Sequence, residues 1–133
     1  EPAAVERARR VMLLQFWRNT GDPSPDRPLA LCDRRCIDRS RLERQRVPSY
    51  GGRRLDFETF LVRPPRSDGD RWYTWPGLTT HEMLVFHTYD SALADAGAPF
   101  WVPHTAFRDP LAPPEAPRRE SIEMRALCLW KPA

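Results

Sequence analysis

The stretch "VMLLQFWRN", residues 11–19, is apolar or aromatic at both its odd and its even positions. A short apolar run of this kind is typical of a β-strand that is covered on both faces. The preceding segment, "EPAAVERARR", is compatible with a short helical turn that leads into the strand. We therefore predict a core strand at 11–18, around which the rest of the chain is arranged.

Further strands are predicted wherever apolar residues alternate between clusters of turn-forming residues. The segments are "LALCD" at 29–33, "RRLDFETFLVRP" at 53–64, "RWYTW" at 71–75, "FWVPHTAF" at 100–107 and "RRESIEMRALCLW" at 118–130. The "RSDGD" turn separates the second and third of these segments, which predicts that they form a hairpin. The arginine-rich "RRCIDRSRLERQR" is predicted to be a solvated loop or helix.

One helix is predicted at 79–90, "TTHEMLVFHTYD", because Thr79 and Glu82 have the spacing of a capping box. In that helix His87 and Asp90 would form a surface pair. About six strands with one or two short helices place the chain in the mainly β class, as a sandwich or jelly roll. We expect the strands at 11–18, 100–107 and 119–130 to share one core, with the helix outside it.

Composition limits the classes of protein to be considered. A chain of 133 residues that is 41% hydrophobic is too apolar to be disordered and fits one domain. The net charge is only +3, and acidic residues are interspersed among the arginines, which argues against a nucleic-acid partner. The three cysteines lack zinc-site spacing and indicate free thiols in a reducing cytoplasm, and no apolar run approaches the ~20 residues of a membrane span.

Two features near the end of the chain are candidates for a binding site. His104 lies in a short aromatic run, where a histidine can be either a buried structural residue or a metal ligand. Arg119 and Ser121 would share one face of the last strand, and a guanidinium beside a hydroxyl is suited to binding a carboxylate. The proline-rich loop "RDPLAPPEAP" is expected to return the last strand beside His104 as an antiparallel partner.

The segments "LLQFWRN", "PLALCD", "RWYTWPGLTTHEML", "YDSA", "PHTAFRDP" and "RESIEMRAL" resemble, in this order, the C-terminal half of the bacterial and fungal hydroxylase/desaturase family. That family includes the cephamycin C-7 hydroxylase component, AsaB-like hydroxylases and fungal gibberellin desaturases. The resemblance implies an iron(II)- and 2-oxoglutarate-dependent oxygenase with a double-stranded β-helix (jelly-roll, cupin-like) core. It also implies hydroxylation or desaturation of a small, secondary-metabolite-like substrate.

By the same resemblance, His104 corresponds to the distal histidine ligand of iron, and Arg119 with Ser121 to the pair that holds the far carboxylate of 2-oxoglutarate. Candidate pocket residues are Gln15, Trp17, Arg18 and Arg125, although aromatic strand residues are more often simply core. Arg125 is interpreted either as a second contact to an anion or as one half of a cross-strand ion pair.

The chain also departs from the family pattern. The family places a His-x-Asp pair of iron ligands upstream of the "LLQFWRN" segment, and no His-x-Asp or His-x-Glu occurs in this sequence. We therefore expect residues 1–133 to be one domain, the C-terminal portion of such an oxygenase, with an incomplete β-helix, exposed strand edges and no activity by itself. The alternative is a catalytically degenerate jelly-roll module that binds a partner protein or a small anion.

Overall fold

The apolar run at 11–19 and the C-terminal segment form the two longest strands among the described residues. The computed structural model describes residues 2–49, 56–64 and 69–131. Within them the strands are β1 (Arg10–Asn19), β2 (Leu29–Cys32), β3 (Leu42–Val47), β4 (Phe57–Val62), β5 (Trp72–Thr74), β6 (Leu84–Asp90), β7 (His104–Ala106) and β8 (Ser121–Trp130). Two five-residue helices are present in the same ranges, α1 (Pro2–Glu6) and α2 (Ser91–Asp95).

The described strands form two three-stranded antiparallel sheets and one separate β3–β4 hairpin. The first sheet has the order β6-β1-β8 and the second the order β5-β2-β7, so successive strands of the chain pass between the two sheets. This arrangement is that of a jelly roll, and it confirms the mainly β class.

A buried cluster joins the two sheets. Trp17 of β1, Phe86 of β6 and Leu29 of β2 pack together, and each is at most 7% exposed. A second cluster, formed by Cys32, Ile37, Phe100 and Trp101, packs against α2 and the β3–β4 hairpin. Burial of these side chains from both sheets is the main source of stability for the sandwich.

The predicted helix at 79–90 is wrong. Thr79 and Glu82 make the expected contacts, since the Thr79 amide and hydroxyl both donate to the Glu82 carboxylate. These contacts close a tight turn, and the residues that follow form β6. This strand pairs with β1 through six residue pairs. Tertiary pairing of "LVFHTYD", which is rich in β-branched and aromatic residues, therefore overrides the local helix signal.

Strand pairing also differs from the predictions. β4 pairs with β3, a strand that was not predicted within the arginine-rich run, and β5 pairs with β2, so the predicted hairpin of 53–64 with 71–75 is wrong. Residues 53–55 of that prediction lie outside the described residues. The predicted strand at 100–107 is shortened to β7, because Phe100 and Trp101 turn into the core and Pro103 lacks an amide proton.

The last strand, β8, lies at one margin of the first sheet and pairs with β1 along its whole length. It does not pair with β7, which belongs to the other sheet, so the expected antiparallel return beside His104 is wrong. Both faces of β8 carry exposed apolar side chains: Ile122 is 62%, Met124 60% and Leu127 50% exposed. A strand margin of this kind is a surface that proteins normally cover.

Asp90 ends β6 as a buried anion rather than as part of a surface pair with His87. Its side chain is 3% exposed and accepts hydrogen bonds from Arg10 Nε at 2.9 Å and Nη2 at 2.6 Å. It also accepts from the Ala92 amide and thereby caps α2. The Arg10 hydrogen bonds hold the pKa of the Asp90 carboxyl below its ordinary value of 3.8.

Replacing Asp90 by asparagine is expected to lower the free energy of unfolding by about 2 kcal/mol at pH 7, because the partly exposed Arg10 guanidinium loses its buried carboxylate partner. A depressed pKa contributes stability that is complete above the ordinary pKa of 3.8 and disappears as the pH falls through the native pKa. The difference between the wild-type protein and Asp90→Asn should therefore shrink in acid. Urea unfolding at several pH values measures it.

The matched control is Asp33→Asn, since Asp33 also caps a short turn and binds an arginine, Arg35, but only two positions away. It should cost less than Asp90→Asn, which removes a link between strands 80 positions apart. A pH-independent difference for Asp90→Asn would contradict this account of Asp90.

Candidate functional site

The interior face of the first sheet carries a row of buried polar and aromatic side chains. Gln15, Trp17 and Asn19 alternate along β1, and each is at most 5% exposed. Residues directly opposite each other in an antiparallel pair share a face. The register therefore places Arg125 beside Gln15 and Ser121 beside Asn19 on the same face, where these two β8 side chains are exposed at the margin of the sheet.

Gln15 is fully buried, and both ends of its amide are hydrogen-bonded to β8. Its Nε2 donates to Glu123 Oε2 at 2.6 Å, and its Oε1 accepts from Arg125 Nε at 2.7 Å. Gln15 thus holds an acidic and a basic side chain in fixed positions instead of presenting its own amide to a ligand. Glu123 was not among the predicted site residues, although its position two residues from Ser121 in the strand alternation was a signal for it.

Arg119 lies just before β8 and is held by the loop that connects β1 to β2. Its backbone amide donates to Asp26 Oδ1 at 3.2 Å, and its guanidinium Nη1 donates to the Arg27 carbonyl at 3.2 Å. The guanidinium carbon is 5.9 Å from the centre of the Trp17 ring, a cation–π arrangement. Arg119 precedes the first residue of β8 and contacts Trp17, which lies on the same face of β1 as Asn19, the partner of Ser121.

His104 projects from β7 of the opposite sheet. Its Nδ1 is 3.1 Å from the Val102 carbonyl oxygen, and its ring centre is 4.8 Å from that of Phe86. A carbonyl at this distance selects the tautomer in which Nδ1 carries the proton, which leaves the Nε2 lone pair available as a ligand. Phe86 belongs to the same buried cluster as Trp17. His104 and Arg119 thus contact adjoining members of one aromatic cluster between the sheets.

Arg18 is not brought into this group. It alternates with Trp17 along β1, is exposed, and its Nε donates to the Thr80 carbonyl at 2.6 Å. Its side chain therefore lies on the outer face of the sheet.

Two other titratable groups lie near the interior. Burial raises the pKa of the Cys32 thiol to about 11, so this cysteine is a neutral core residue at pH 7. The three cysteines are free thiols, as predicted. Burial lowers the pKa of His87, whose Nε2 is buried without a hydrogen-bond partner. His87 is therefore a neutral, half-buried side chain of β6.

The residues that the structure describes do not form a complete metal site. Across residues 2–49, 56–64 and 69–131, no three His, Cys, Asp or Glu side chains are clustered so that they could hold a metal ion. His104 is therefore not part of such a cluster among the described residues. In the same ranges, no helix is both long and apolar enough to cross a membrane.

Comparison with known proteins gives one family match and several relatives. The model of the family described as Oxidoreductase/YMDC permease-like domain matches residues 1–129. Aspirochlorine biosynthesis protein N of Aspergillus oryzae is 28% identical over 122 residues, which are 92% of this chain and 49% of the relative. The Fe(II)/2-oxoglutarate-dependent dioxygenase nvfI of Aspergillus novofumigatus is 30% identical over 122 residues, which are 89% of this chain and 40% of the relative.

The hydroxylase/desaturase asaB of Aspergillus flavus is 29% identical over 130 residues, which are 92% of this chain and 56% of the relative. Among solved structures, the iron and alpha-ketoglutarate-dependent endoperoxidase NvfI is similar with a TM-score of 0.75 at 27% sequence identity. That match covers 98% of this chain and 46% of the neighbour. The chain therefore spans about half the length of the proteins that it matches.

Proposed function

Because this chain belongs to the oxidoreductase/YMDC permease-like domain family, we propose that it is the C-terminal portion of an iron(II)- and 2-oxoglutarate-dependent oxygenase. The observation that carries the proposal is the position of the His104 ring, whose Nδ1 lies 3.1 Å from the Val102 carbonyl oxygen beside the aromatic cluster that also contacts Arg119. The similarity to relatives named as dioxygenase or hydroxylase/desaturase supports the same reaction class.

In this proposal each residue has a defined task. His104 supplies one imidazole ligand to iron(II), and the Val102 carbonyl fixes the orientation of its ring. The guanidinium of Arg119 binds the far carboxylate of 2-oxoglutarate, and the Ser121 hydroxyl adds a donor. The other protein ligands come from chain outside these 133 residues. Iron(II) with 2-oxoglutarate supplies the activation of oxygen needed to attack an unactivated carbon.

Around these groups the protein holds side chains in fixed positions. The Trp17 indole and the Arg27 carbonyl both hold the Arg119 guanidinium, so that little side-chain freedom is lost when a carboxylate binds. Gln15 fixes Glu123 and Arg125 beside the proposed cosubstrate position. A small-molecule substrate that is hydroxylated or desaturated is the proposed reactant.

The proposed function is tested by the release of carbon dioxide from 2-oxoglutarate labelled at C1, in a form of the protein that carries all the iron ligands. In that form Arg119→Lys is expected to raise the 2-oxoglutarate KM by about tenfold with a smaller change in kcat. Lysine keeps the charge but cannot form two parallel hydrogen bonds to one carboxylate.

Arg118→Lys is the matched control, since Arg118 is the same residue type one position away and has no role in the proposed site. It should leave the 2-oxoglutarate KM unchanged. If the two substitutions changed the 2-oxoglutarate KM equally, Arg119 would not be a residue of the cosubstrate site. Carboxylate binding that needs no iron, without any carbon dioxide release, would instead support the degenerate anion-binding module.

A further inference from the structure

A pocket of about 280 Å³, including its mouth, opens between the two sheets on the side of Trp17 and is lined almost entirely by apolar groups. Its walls are Trp17, Leu29, Leu84, Trp75 and Leu78, together with prolines of the β1–β2 loop. We call it the indole pocket, because two indole rings contribute to it. Much of this volume is open to solvent at the mouth, so the pocket is a shallow depression that suits the edge of one small apolar group and not a ligand as a whole.

The polar group in the lining is already saturated. The Asn19 amide donates to the carbonyls of Asp22 at 2.8 Å and Leu78 at 2.9 Å, and its Oδ1 accepts from the Gly21 amide at 3.3 Å. No charged side chain lines the pocket. A charged occupant would therefore lose its hydration without finding a partner, whereas a neutral ring would pack against indole and proline surfaces.

The indole pocket and the proposed cosubstrate site share Trp17. Trp17 forms one of its walls and also contacts the Arg119 guanidinium. The same β1–β2 loop that supplies the prolines holds the Arg119 backbone amide through Asp26. An occupant of the pocket would therefore be separated from the cosubstrate anchor by one aromatic ring.

We propose that the indole pocket binds a neutral ring, aromatic or alicyclic, of the molecule that the enzyme oxidises. The identification of this ligand as the substrate rests on the proposed oxygenase function. The pocket thereby selects against substrates that present a charge at this position and sets the orientation of the rest of the molecule.

The test is a titration of the 133-residue chain with benzyl alcohol, followed through the indole N–H signals in ¹⁵N-edited NMR. Benzoate and benzylammonium, which carry a charge on a ring of the same size, are titrated in parallel. We expect saturable shifts of the Trp75 indole signal with benzyl alcohol. For both charged probes we expect dissociation constants that are higher by about tenfold or more. Equal binding of the charged and neutral rings would overturn the proposal.

Trp75→Ala should weaken benzyl alcohol binding by about tenfold, because one wall of the pocket is removed. Trp72→Ala is the matched control: both tryptophans are 43% exposed, and Trp72 does not line the pocket. Leu78→Ala provides a second truncated wall if Trp75→Ala does not fold. Equal affinities in the Trp75, Leu78 and Trp72 variants would overturn the proposal.

A titration with 2-oxoglutarate in the same samples separates this proposal from the proposed function. Ring binding that depends on Trp75, with a 2-oxoglutarate response that depends on Arg119, supports both. Ring binding without carbon dioxide release by the form that carries all the iron ligands would overturn the assignment of the pocket to an oxygenase substrate. Carbon dioxide release without selective ring binding would overturn the proposal for the indole pocket and leave the proposed oxygenase function intact.

Discussion

Replacing His104 by alanine in a form of the protein that carries all the iron ligands is expected to lower 2-oxoglutarate turnover by at least a hundredfold. Loss of a residue that merely orients a metal ligand typically costs about 10–100-fold in affinity or activity, and loss of the ligand itself should cost more. The His104 ring is oriented by the Val102 carbonyl and by Phe86, and among the described residues no cluster of three potential metal ligands could substitute for it. Carbon dioxide release and bound iron, measured on the same preparation, give the two readouts.

The control is His81→Ala, which removes an exposed histidine from the turn before β6. It should keep both iron content and turnover. Added imidazole should restore part of the iron binding to His104→Ala if only a ligand atom has been lost, and none if the fold has collapsed. Normal iron content and turnover in His104→Ala would show that His104 is a structural residue and not an iron ligand.

The two long strands could be predicted from the sequence because their signal is local. The segment Arg10–Asn19 is dominated by apolar residues, and apolar residues recur throughout Ser121–Trp130, a pattern that favours extended strands in both. The segment 79–90 could not be predicted in the same way, since its local capping contacts are real. Its conformation is decided by pairing with a strand about 75 positions earlier in the chain, which Thr88 contacts through the Leu13 carbonyl.

The candidate site shows the same division between local and distant information. His104, Arg119 and Ser121 could be singled out by residue type and order in the chain. The geometry of Arg119 could not, because the contact that holds its backbone comes from Asp26, 93 positions earlier. Gln15 was predicted to line a pocket, but its partner Glu123 lies 108 positions away, and only the strand register shows that its amide is already used.

Trp17→Ala is expected to have the largest effect on stability. Trp17 is 5% exposed and packs with Leu29 and Phe86 across the space between the two sheets. Truncation of a buried aromatic residue to alanine typically costs about 3–5 kcal/mol, through lost burial and the cavity left behind. Because a domain of this size is stable by only about 5–15 kcal/mol, the variant should be close to unfolding at room temperature. Urea unfolding followed by circular dichroism measures the loss.

Trp72→Ala again serves as the control, because truncation of an exposed tryptophan on β5 should cost less than about 1 kcal/mol. A second substitution, Trp17→Phe, separates the role of Trp17 in the core from its contact with Arg119. Trp17→Phe keeps an aromatic ring in the core but shortens the surface beneath the Arg119 guanidinium, which lies 5.9 Å from the ring centre. It should therefore retain most of the stability while weakening 2-oxoglutarate binding. If Trp17→Ala were no more destabilising than Trp72→Ala, the sheets would not be joined through this residue, and the link from the core to Arg119 would have to be abandoned.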